Sequence, residues 1–341
     1  MALIVKTIGS AGGRDFATIA LWIASLPANL VTDGNSYEGD CYNDPSGEFT
    51  GAPGAGAIAT FPATTTDSTH TITLTTGAGQ SFQDNASVRT NALKYNVSNG
   101  VGIRKTDNYG AVITFSGAVN FITVSKLQLS RSAVGSGGAL VSFTSFGSNH
   151  LWKDIIGEVT GTSGVAFACG GGTAVRIENV VIIIRSTATV TPIQAANNSP
   201  TLIGCGVVRP SNFTAAGTGF NRTYGTPILQ SSYSFGFTTA SSSGWDSTNS
   251  KNNGTDQSSI VGGSAQVSIT YNSTTPLTSA ADSTRDLRSI ASTSLAANGF
   301  KDATNAPNDI SGSLRPSTPT IGPWEISPAS ATTPNQFPRV L

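Results

Sequence analysis

Short apolar segments recur at nearly constant spacing along the middle of the chain. They begin at Val124, Leu151, Ile177 and Ile203, so the successive offsets are 27, 26 and 26 residues. A second short apolar segment precedes each of them, and the repeat contains no helical pattern. A period in the twenties with two or three short strands per repeat is typical of a β-solenoid, in which stacked coils share a core that no single coil could form.

Stacking of the coils about 4.8 Å apart predicts columns of like residues along the core. Aligning the four segments places Val124, Leu151, Ile177 and Ile203 in one apolar column. A second apolar column consists of Leu129, Ile156, Ile182 and Val208. We expect these side chains to point inward and to touch their counterparts in the next coil.

Unlike charges also fall close together on adjacent segments. Lys153 falls beside Glu178, and Lys126, Asp154 and Asn179 share the neighbouring column. Opposite charges that face each other across adjacent strands favour this stacking. A leucine-rich-repeat solenoid is disfavoured because its LxxLxL pattern is absent. A sandwich built from pairs of hairpin strands remains an alternative, since imperfect repeats of this length also fit such pairs.

The composition favours the same architecture. The chain has 38 glycines, and Ser and Thr make up roughly a quarter of it, which favours turns and strands over helices. Charged residues amount to 11%, and 19 basic groups balance 19 acidic ones. This balance excludes a basic nucleic-acid-binding surface. The scarcity of charge is expected where inward-facing ions could not be paired between coils.

One helix is predicted, near the N-terminus. Its apolar stripe has helical spacing, Asp15 precedes it in a capping position, and Pro27 prevents it from continuing. The stripe contains Phe16, Ile19, Trp22, Ile23 and Leu26. We expect an amphipathic helix over residues 16–26 that caps the first coil, because an open solenoid end exposes unpaired strand edges.

Four regions are predicted along the chain. Residues 1–62 form the cap helix and loops, 63–237 the coils, 238–300 a polar excursion with a final coil, and 301–341 an extended Pro-rich arm. Seven of the 16 prolines lie in the arm, and such a stretch has little tendency to fold by itself. Candidate partner-binding residues on the arm are Arg315, Pro316, Ile321, Trp324 and Phe337.

The sequence offers no recognisable metal-binding or targeting motif. The cysteines, Cys41, Cys169 and Cys205, lack CxxC spacing, and His70 and His150 lack HExxH spacing. The apolar run near the N-terminus is too short for a signal peptide, and no apolar stretch approaches the roughly 18 residues of a membrane span. We therefore expect neither a bound metal nor a membrane partner.

Carboxylates are the remaining candidates for chemistry. Polysaccharide hydrolysis needs two of them about 5 to 10 Å apart, and the coils contain Asp154, Glu158 and Glu178. Because lysines lie beside two of them in the predicted register, we interpret all three as solvated partners on an outer face. The sequence therefore predicts no catalytic residue and no cofactor.

Both ends of the chain resemble known β-helix proteins. Near the C-terminus, Asp309-Ile-Ser-Gly-Ser-Leu-Arg-Pro316 and Ile321-Gly-Pro-Trp-Glu325 resemble the ending of right-handed parallel β-helix proteins of the pectate-lyase-like class, with Pro323 in place of the usual small residue. Near the N-terminus, Gly12-Gly-Arg-Asp-Phe-Ala-Thr-Ile19 is similar to β-helix proteins of tailed bacteriophages. The resemblance implies an all-β, single-stranded right-handed parallel β-helix in a virion, on either the head or the tail.

These observations lead to one preferred functional hypothesis, a non-enzymatic structural protein of a bacteriophage particle that decorates or cements the capsid. It would be made in the host cytoplasm and would then enter the virion. Expected partners are the major capsid protein or other virion proteins, and further copies of the chain, with a trimer as one candidate assembly. The alternatives are a tailspike or tail-fibre protein that binds or cleaves host glycans and a passive glycan-binding module, because one β-helix scaffold supports many functions.

Overall fold

The structure is a computed structural model of the 341-residue chain. It describes residues 1–326 except 45–47, 52–55, 108–109, 133–137, 144–146, 162–164, 171, 197–198, 212, 214, 259, 261–263, 273–274, 276, 280, 282–285 and 292. The regular structure is nearly all β. The described part of the chain contains two short helices, α1 (Ile19–Ala24) and α2 (Leu30–Asp33).

The strands follow one another along the chain with short connections. The first twelve are β1 (Ala2–Ile8), β2 (Asn35–Cys41), β3 (Glu48–Thr50), β4 (Ala59–Phe61), β5 (Ile72–Thr76), β6 (Gly102–Lys105), β7 (Ile113–Phe115), β8 (Ile122–Ser125), β9 (Gln128–Arg131), β10 (Val141–Phe143), β11 (Leu151–Val159) and β12 (Val165–Gly170). The next twelve are β13 (Arg176–Ile184), β14 (Thr191–Ala196), β15 (Thr201–Ile203), β16 (Gly206–Val208), β17 (Thr218–Arg222), β18 (Ile228–Gln230), β19 (Tyr233–Phe235), β20 (Thr239–Ser241), β21 (Gly254–Thr255), β22 (Val267–Ser268), β23 (Leu277–Ser279) and β24 (Asp286–Ser289).

Two large sheets are built entirely from parallel pairs. The first has fifteen strands with the main path β1-β2-β5-β8-β11-β13-β16-β19-β21-β22, and the second has seven in the order β4-β7-β10-β12-β14-β17-β20. Strands β20 to β22, in the region predicted as a polar excursion with a final coil, extend both sheets. A small third sheet, β23-β24, is antiparallel. The predicted all-β class with parallel sheets is confirmed, and the arrangement is compatible with a β-solenoid.

The space between the two large sheets is apolar and contains stacked aromatic rings. Phe61, Phe115 and Phe143 lie on neighbouring strands of the seven-stranded sheet, with successive ring centroids 5.2 and 4.6 Å apart. Trp152, on the fifteen-stranded sheet, packs edge-on against Phe167 at 5.0 Å. Because neighbouring strands lie about 4.8 Å apart, like side chains in register reach stacking distance. The core therefore grows by one layer with each pass of the chain.

The first predicted core column is wrong by one residue at two positions. Trp152 pairs with Val124 on one side and with Ile177 on the other, and Leu202 continues the column. Val124 and Ile177 therefore share a column as expected, but the chain advances by 28 residues and then by 25 between them. The prediction assumed an almost constant interval, so it placed Leu151 and Ile203 one residue out of register. A slip of one residue moves a side chain to the other face of a sheet.

The two misassigned residues of this column, Leu151 and Ile203, face away from the core. Leu151 pairs with Thr123 and Arg176 and is half-buried. Ile203 pairs with Glu178 and is buried on the outer face.

The second predicted column contains the same error. The residues in register are Leu129, Gly157, Ile182 and Val207. Ile156 and Val208, which were predicted for this column, lie on the opposite face and join a separate apolar cluster. Both faces of these strands are buried, so their sequences show no alternation of apolar and polar residues that could fix the register.

Helix α1 is shorter than predicted. It begins after Thr18, whose side chain accepts a hydrogen bond from the first turn, so the prediction of Asp15 as the cap is wrong. Asp15 instead accepts a hydrogen bond from the Thr7 N–H at 2.8 Å. Phe16 lies outside the helix and forms a parallel bridge with Ile8.

The apolar stripe of this region packs inward. Trp22 lies edge-on to Phe61 at 6.5 Å, and a Cβ on Gly39 would come within 2.8 Å of its indole ring. The stripe is buried at Ile19, Trp22 and Ile23 and half-buried at Phe16 and Leu26. Helix α1 therefore contacts strands of both large sheets, β2 and β4.

The C-terminal region folds back onto the fifteen-stranded sheet, so the predicted extended arm is wrong for residues 301–326. Ile310 and Ile321 are fully buried, and they belong to the same apolar cluster as Ile156 and Val208 on the outer face of the fifteen-stranded sheet. A sheet face with this much apolar surface must be covered by another element. The composition of the region, rich in proline, did not indicate this contact.

The five candidate arm residues therefore have different environments. Arg315, Ile321 and Trp324 are buried within the chain. Pro316 is half-buried, and Phe337 lies outside the described residues. The buried three serve internal packing in this structure.

The corrected register predicts unequal effects for two adjacent substitutions. Trp152→Ala removes a fully buried ring and should lower the free energy of unfolding by about 3–5 kcal/mol, whereas Leu151→Ala should lower it by at most about 1 kcal/mol because that side chain is only half-buried. Denaturant titrations followed by circular dichroism would measure both. A larger loss for Leu151→Ala than for Trp152→Ala would contradict the register described above.

Candidate functional site

Six successive passes of the chain bend at the same place on the fifteen-stranded sheet, each with a residue in the left-handed region. These residues, with φ between 50° and 63°, are Lys126, Asp154, Asn179, Gly204, Ser231 and Asn252. Glycine, asparagine and aspartate tolerate this conformation best. The bends therefore form a column, and the predicted alignment of Lys126, Asp154 and Asn179 is confirmed because Ser125, Lys153 and Glu178, the residues before them, pair in register.

The bend column is polar and is covered by the C-terminal region. Asp154 is 4% exposed, and the Asn179 side-chain amide donates a hydrogen bond to its Oδ1 at 2.9 Å. Arg315 Nη2 donates to Asn179 Oδ1 at 3.1 Å. A Cβ on Gly204 would lie 2.9 Å from the same Nη2 atom, so the absence of a side chain there leaves room for the guanidinium.

Arg315 joins the bend column to the C-terminal region itself. Its guanidinium donates to the carbonyl oxygens of Gly322 at 2.8 Å and Asn308 at 3.2 Å. It also lies 3.6 Å from the Glu325 carboxylate. Burial lowers the pKa of Arg315 below its ordinary value, and the charges of Asp309 and Glu325 oppose that shift. The side chain therefore depends on nearby carboxylates and carbonyls to remain buried as a cation.

Two carboxylates organise the loop that carries Arg315. Asp309 Oδ1 accepts from the N–H groups of Ser311 and Ser313, each at 2.9 Å, and its Oδ2 accepts from Arg89 Nη1 at 2.9 Å. Glu325 accepts from the Thr320 N–H at 2.9 Å. Its own N–H donates to Asp309 Oδ2 at 2.9 Å.

We call this network the C-terminal clasp. Its members are Arg89, Asp154, Asn179, Asp309, Arg315 and Glu325. Three of them, Asp309, Arg315 and Glu325, come from the segments that resemble a β-helix ending, and Arg89 was not singled out by sequence reasoning. Arg89 is an isolated cation in a loop, and no local pattern connects it to a carboxylate more than two hundred residues away.

The other two candidate carboxylates also have cationic neighbours. Glu178 is 1% exposed, contacts Arg176, and lies 3.9 Å from Lys153. Glu158 is buried and lies 3.2 Å from Arg185. The predicted pairing of Lys153 with Glu178 is confirmed, but the expectation that the three carboxylates are solvated is wrong, because all three are buried.

Burial changes the proton affinity of Asp154. It raises the pKa of this carboxyl to about 6, and the hydrogen bond from Asn179 and the charge of Lys153 oppose the shift. When a carboxyl has a raised pKa in the folded state, its ionisation lowers the free energy of unfolding. Asp154 is therefore a source of pH-dependent stability.

The remaining sequence candidates are packed in the interior. His150 is 1% exposed beside the Phe115 ring, and burial lowers its pKa to about 4, so the imidazole is neutral at pH 7. The three cysteines are buried free thiols, and burial raises their pKa. Within the described ranges, no cluster of three or more His, Cys, Asp or Glu side chains could hold a metal ion, and neither helix is long and apolar enough to cross a membrane.

A separate groove of about 690 Å³ lies beside the C-terminal ends of strands β16, β19 and β21. Its lining includes Phe213, Phe237, Asp256, Gln257 and Tyr271. Asp256 accepts from the Gly236 N–H at 3.0 Å, and burial raises the pKa of its carboxyl. Tyr271 stacks on Phe235 at 5.5 Å, so its ring position is fixed. Sequence reasoning missed this groove because its residues come from four separate turns.

The comparisons with known proteins give no relative: no family model, no curated protein and no solved structure matches this chain.

The raised pKa of Asp154 predicts that the Asp154→Asn variant is more stable than wild type by an amount that depends on pH. Below about pH 4 the Asp154 carboxyl is protonated in both the folded and the unfolded state. Between about pH 4 and 6 this carboxyl ionises in the unfolded state alone, so the free energy of unfolding of the wild type falls as pH rises. Asparagine at this position keeps a side-chain oxygen that can accept the hydrogen bond from Asn179. It also tolerates the left-handed conformation of the bend. The variant should become more stable than wild type by up to about 3 kcal/mol above pH 6.

Denaturant titrations at several pH values would measure this difference. Asp67→Asn provides a control of opposite sign, because hydrogen bonds from Thr69 lower the pKa of the Asp67 carboxyl and the substitution should cost stability only where that group is ionised. A difference between wild type and Asp154→Asn that does not change with pH would contradict the assignment.

Proposed function

We propose that this chain is a non-enzymatic structural protein of a bacteriophage particle that decorates or cements the capsid shell. The observation that carries the proposal is the burial of the candidate carboxylates. Asp154 is covered by the C-terminal clasp, and Glu178 is covered and paired with cations. Carboxylates that are buried and bonded within the chain favour a protein that binds a partner over one that catalyses a reaction. The resemblance of both chain ends to β-helix proteins, and of the N-terminus to phage proteins, supports the assignment to a virion.

The finer fold that we propose is a single-stranded, right-handed parallel β-helix. Parallel pairing throughout both large sheets and a left-handed bend at the same place in six successive passes support it. Right-handedness is proposed because parallel crossover connections nearly always have that hand. In this arrangement α1 is an N-terminal cap, since Trp22 packs over Phe61 and Gly39.

The partners that we propose are the major capsid protein or other virion proteins. Particles depleted of this chain, incubated with the purified protein and imaged by electron cryo-microscopy, should regain density on the shell. Density on the tail alone would contradict the capsid assignment and favour the tail alternatives.

Removal of residues 327–341 tests the remaining part of the proposed arm, which includes Phe337. We expect lower occupancy on particles with an unchanged melting temperature, because every contact of the clasp is retained. The matched control is Arg315→Met within the full-length chain, which should lower the melting temperature by leaving buried carboxylates unpaired. Full occupancy of the truncated chain would exclude the arm as an attachment element.

Glycan binding is a second candidate function, favoured by the groove of about 690 Å³. Sugar sites combine aromatic rings with polar groups that fix orientation, and the groove offers Phe213 and Tyr271 with Asp256 and Gln257. Among the described residues that line the groove, Asp256 is the one carboxylate. Cleavage would require a second carboxylate, so this arrangement favours binding without turnover.

Asp256→Asn tests the groove. On an array of bacterial surface glycans, we expect the wild-type chain to bind and the variant to bind at least about tenfold more weakly, because a charge-assisted hydrogen bond is lost. Asp246→Asn is the control, since Asp246 does not line the groove. Equal binding by both variants would exclude the groove, and a rise in reducing ends would show turnover and overturn the non-enzymatic assignment.

A further inference from the structure

Strand β1 is the terminal strand of the fifteen-stranded sheet. It pairs with β2 along its full length, and within the part of the chain that the structure describes its other edge is occupied at the C-terminal end alone. There the Phe16 N–H donates to the Thr7 carbonyl at 3.0 Å, and the Thr7 N–H donates to Asp15 Oδ2 at 2.8 Å. The Thr7 peptide groups therefore point away from β2.

The same direction follows for two residues earlier in the strand. Peptide groups alternate along a strand, so the N–H and C=O groups of Leu3 and Val5 point to the same side as those of Thr7. No described residue forms a hydrogen bond with them. Their side chains are 57% and 46% exposed. An apolar segment with unpaired backbone groups is thus presented at this end of the sheet.

This edge lacks the features that protect open edges. Natural edge strands carry charges, prolines or bulges that prevent pairing with another chain. In β1 the residues before Lys6 are Ala, Leu, Ile and Val. Lys6 itself lies on the opposite side of the strand from Val5 and is paired with Asp15 at 3.2 Å. The edge is therefore available for strand addition.

We propose that this edge binds a second copy of the chain, with β1 antiparallel to β1 about a two-fold axis at Ile4. This register opposes Leu3 with Val5 of the second copy, and each such pair exchanges both of its N–H···O bonds. The groups that face outward are therefore the ones that become paired. Lys6 falls opposite Ala2, so no like charges meet. Asp15 and Phe16, which close the edge at Thr7, limit the partner to a short strand, and a second β1 has that length.

The pairing joins the fifteen-stranded sheets of two copies into one continuous sheet. The interface is small, so we expect a weak dimer whose population changes between about 1 and 200 μM. The inference concerns the isolated chain and does not depend on attachment to a particle. It would give a homodimer, in place of the trimer considered from the sequence.

Val5→Pro tests the open edge. The substitution removes an outward N–H that β2 does not use, and proline is tolerated at such edge positions. Sedimentation velocity of the full chain should show dimer for wild type and monomer for Val5→Pro, with the same circular dichroism spectrum. Tyr224→Lys is the control, because Tyr224 is 63% exposed between β17 and β18, which do not pair with β1, and it should leave the dimer unchanged.

A charge pair tests the register. Leu3→Lys and Val5→Glu should each weaken self-association, and a mixture of the two should associate more strongly than either alone because the new charges are opposed across the axis. A wild-type chain that stays monomeric, a trimeric mass, or a mixture that associates no better than its components would overturn the proposal. A dimer unaffected by Val5→Pro would place the interface elsewhere.

Discussion

Hydrogen bonding between successive passes of the chain is the constraint on which the rest of the structure depends. Because each strand of the main path pairs with the strand of the next pass, side chains in register are held about 4.8 Å apart and form columns. The stacked rings of Phe61, Phe115 and Phe143 are one result. The same rule leaves a strand at the end of the path with one edge that no described strand pairs, as β1 has at Leu3 and Val5.

The outer face of the long sheet creates a second requirement. Ile156, Val181 and Val208 point away from the core between the sheets and would be exposed if the two large sheets stood alone. The C-terminal region covers them, and the clasp fixes its position through Arg315 and Asn179. Burying these charges costs free energy, and a fully bonded network of this kind favours one docking position over others. We suggest that the clasp contributes specificity of docking more than stability.

The repeat in the sequence was sufficient to predict an all-β chain with parallel stacking, the shared column of Val124 and Ile177, and the contact between Lys153 and Glu178. It was not sufficient to place Leu151 and Ile203 correctly. Alternation of apolar and polar residues normally fixes the register of a strand. Where both faces are buried that signal is lost, and the unequal lengths of successive passes, 28 and then 25 residues, shift the alignment by one.

The sequence by itself determined the class of the fold, because a short apolar repeat without helical spacing can bury its side chains only by stacking strands. It also determined the scarcity of charge that such a core requires. Only the tertiary structure decided the role of the C-terminal region, since the burial of Arg315 and Ile321 depends on surfaces contributed by residues far away in the chain. Contacts between distant segments leave no periodic signal in either segment, so composition alone predicted a free arm where the folded chain has a buried clasp.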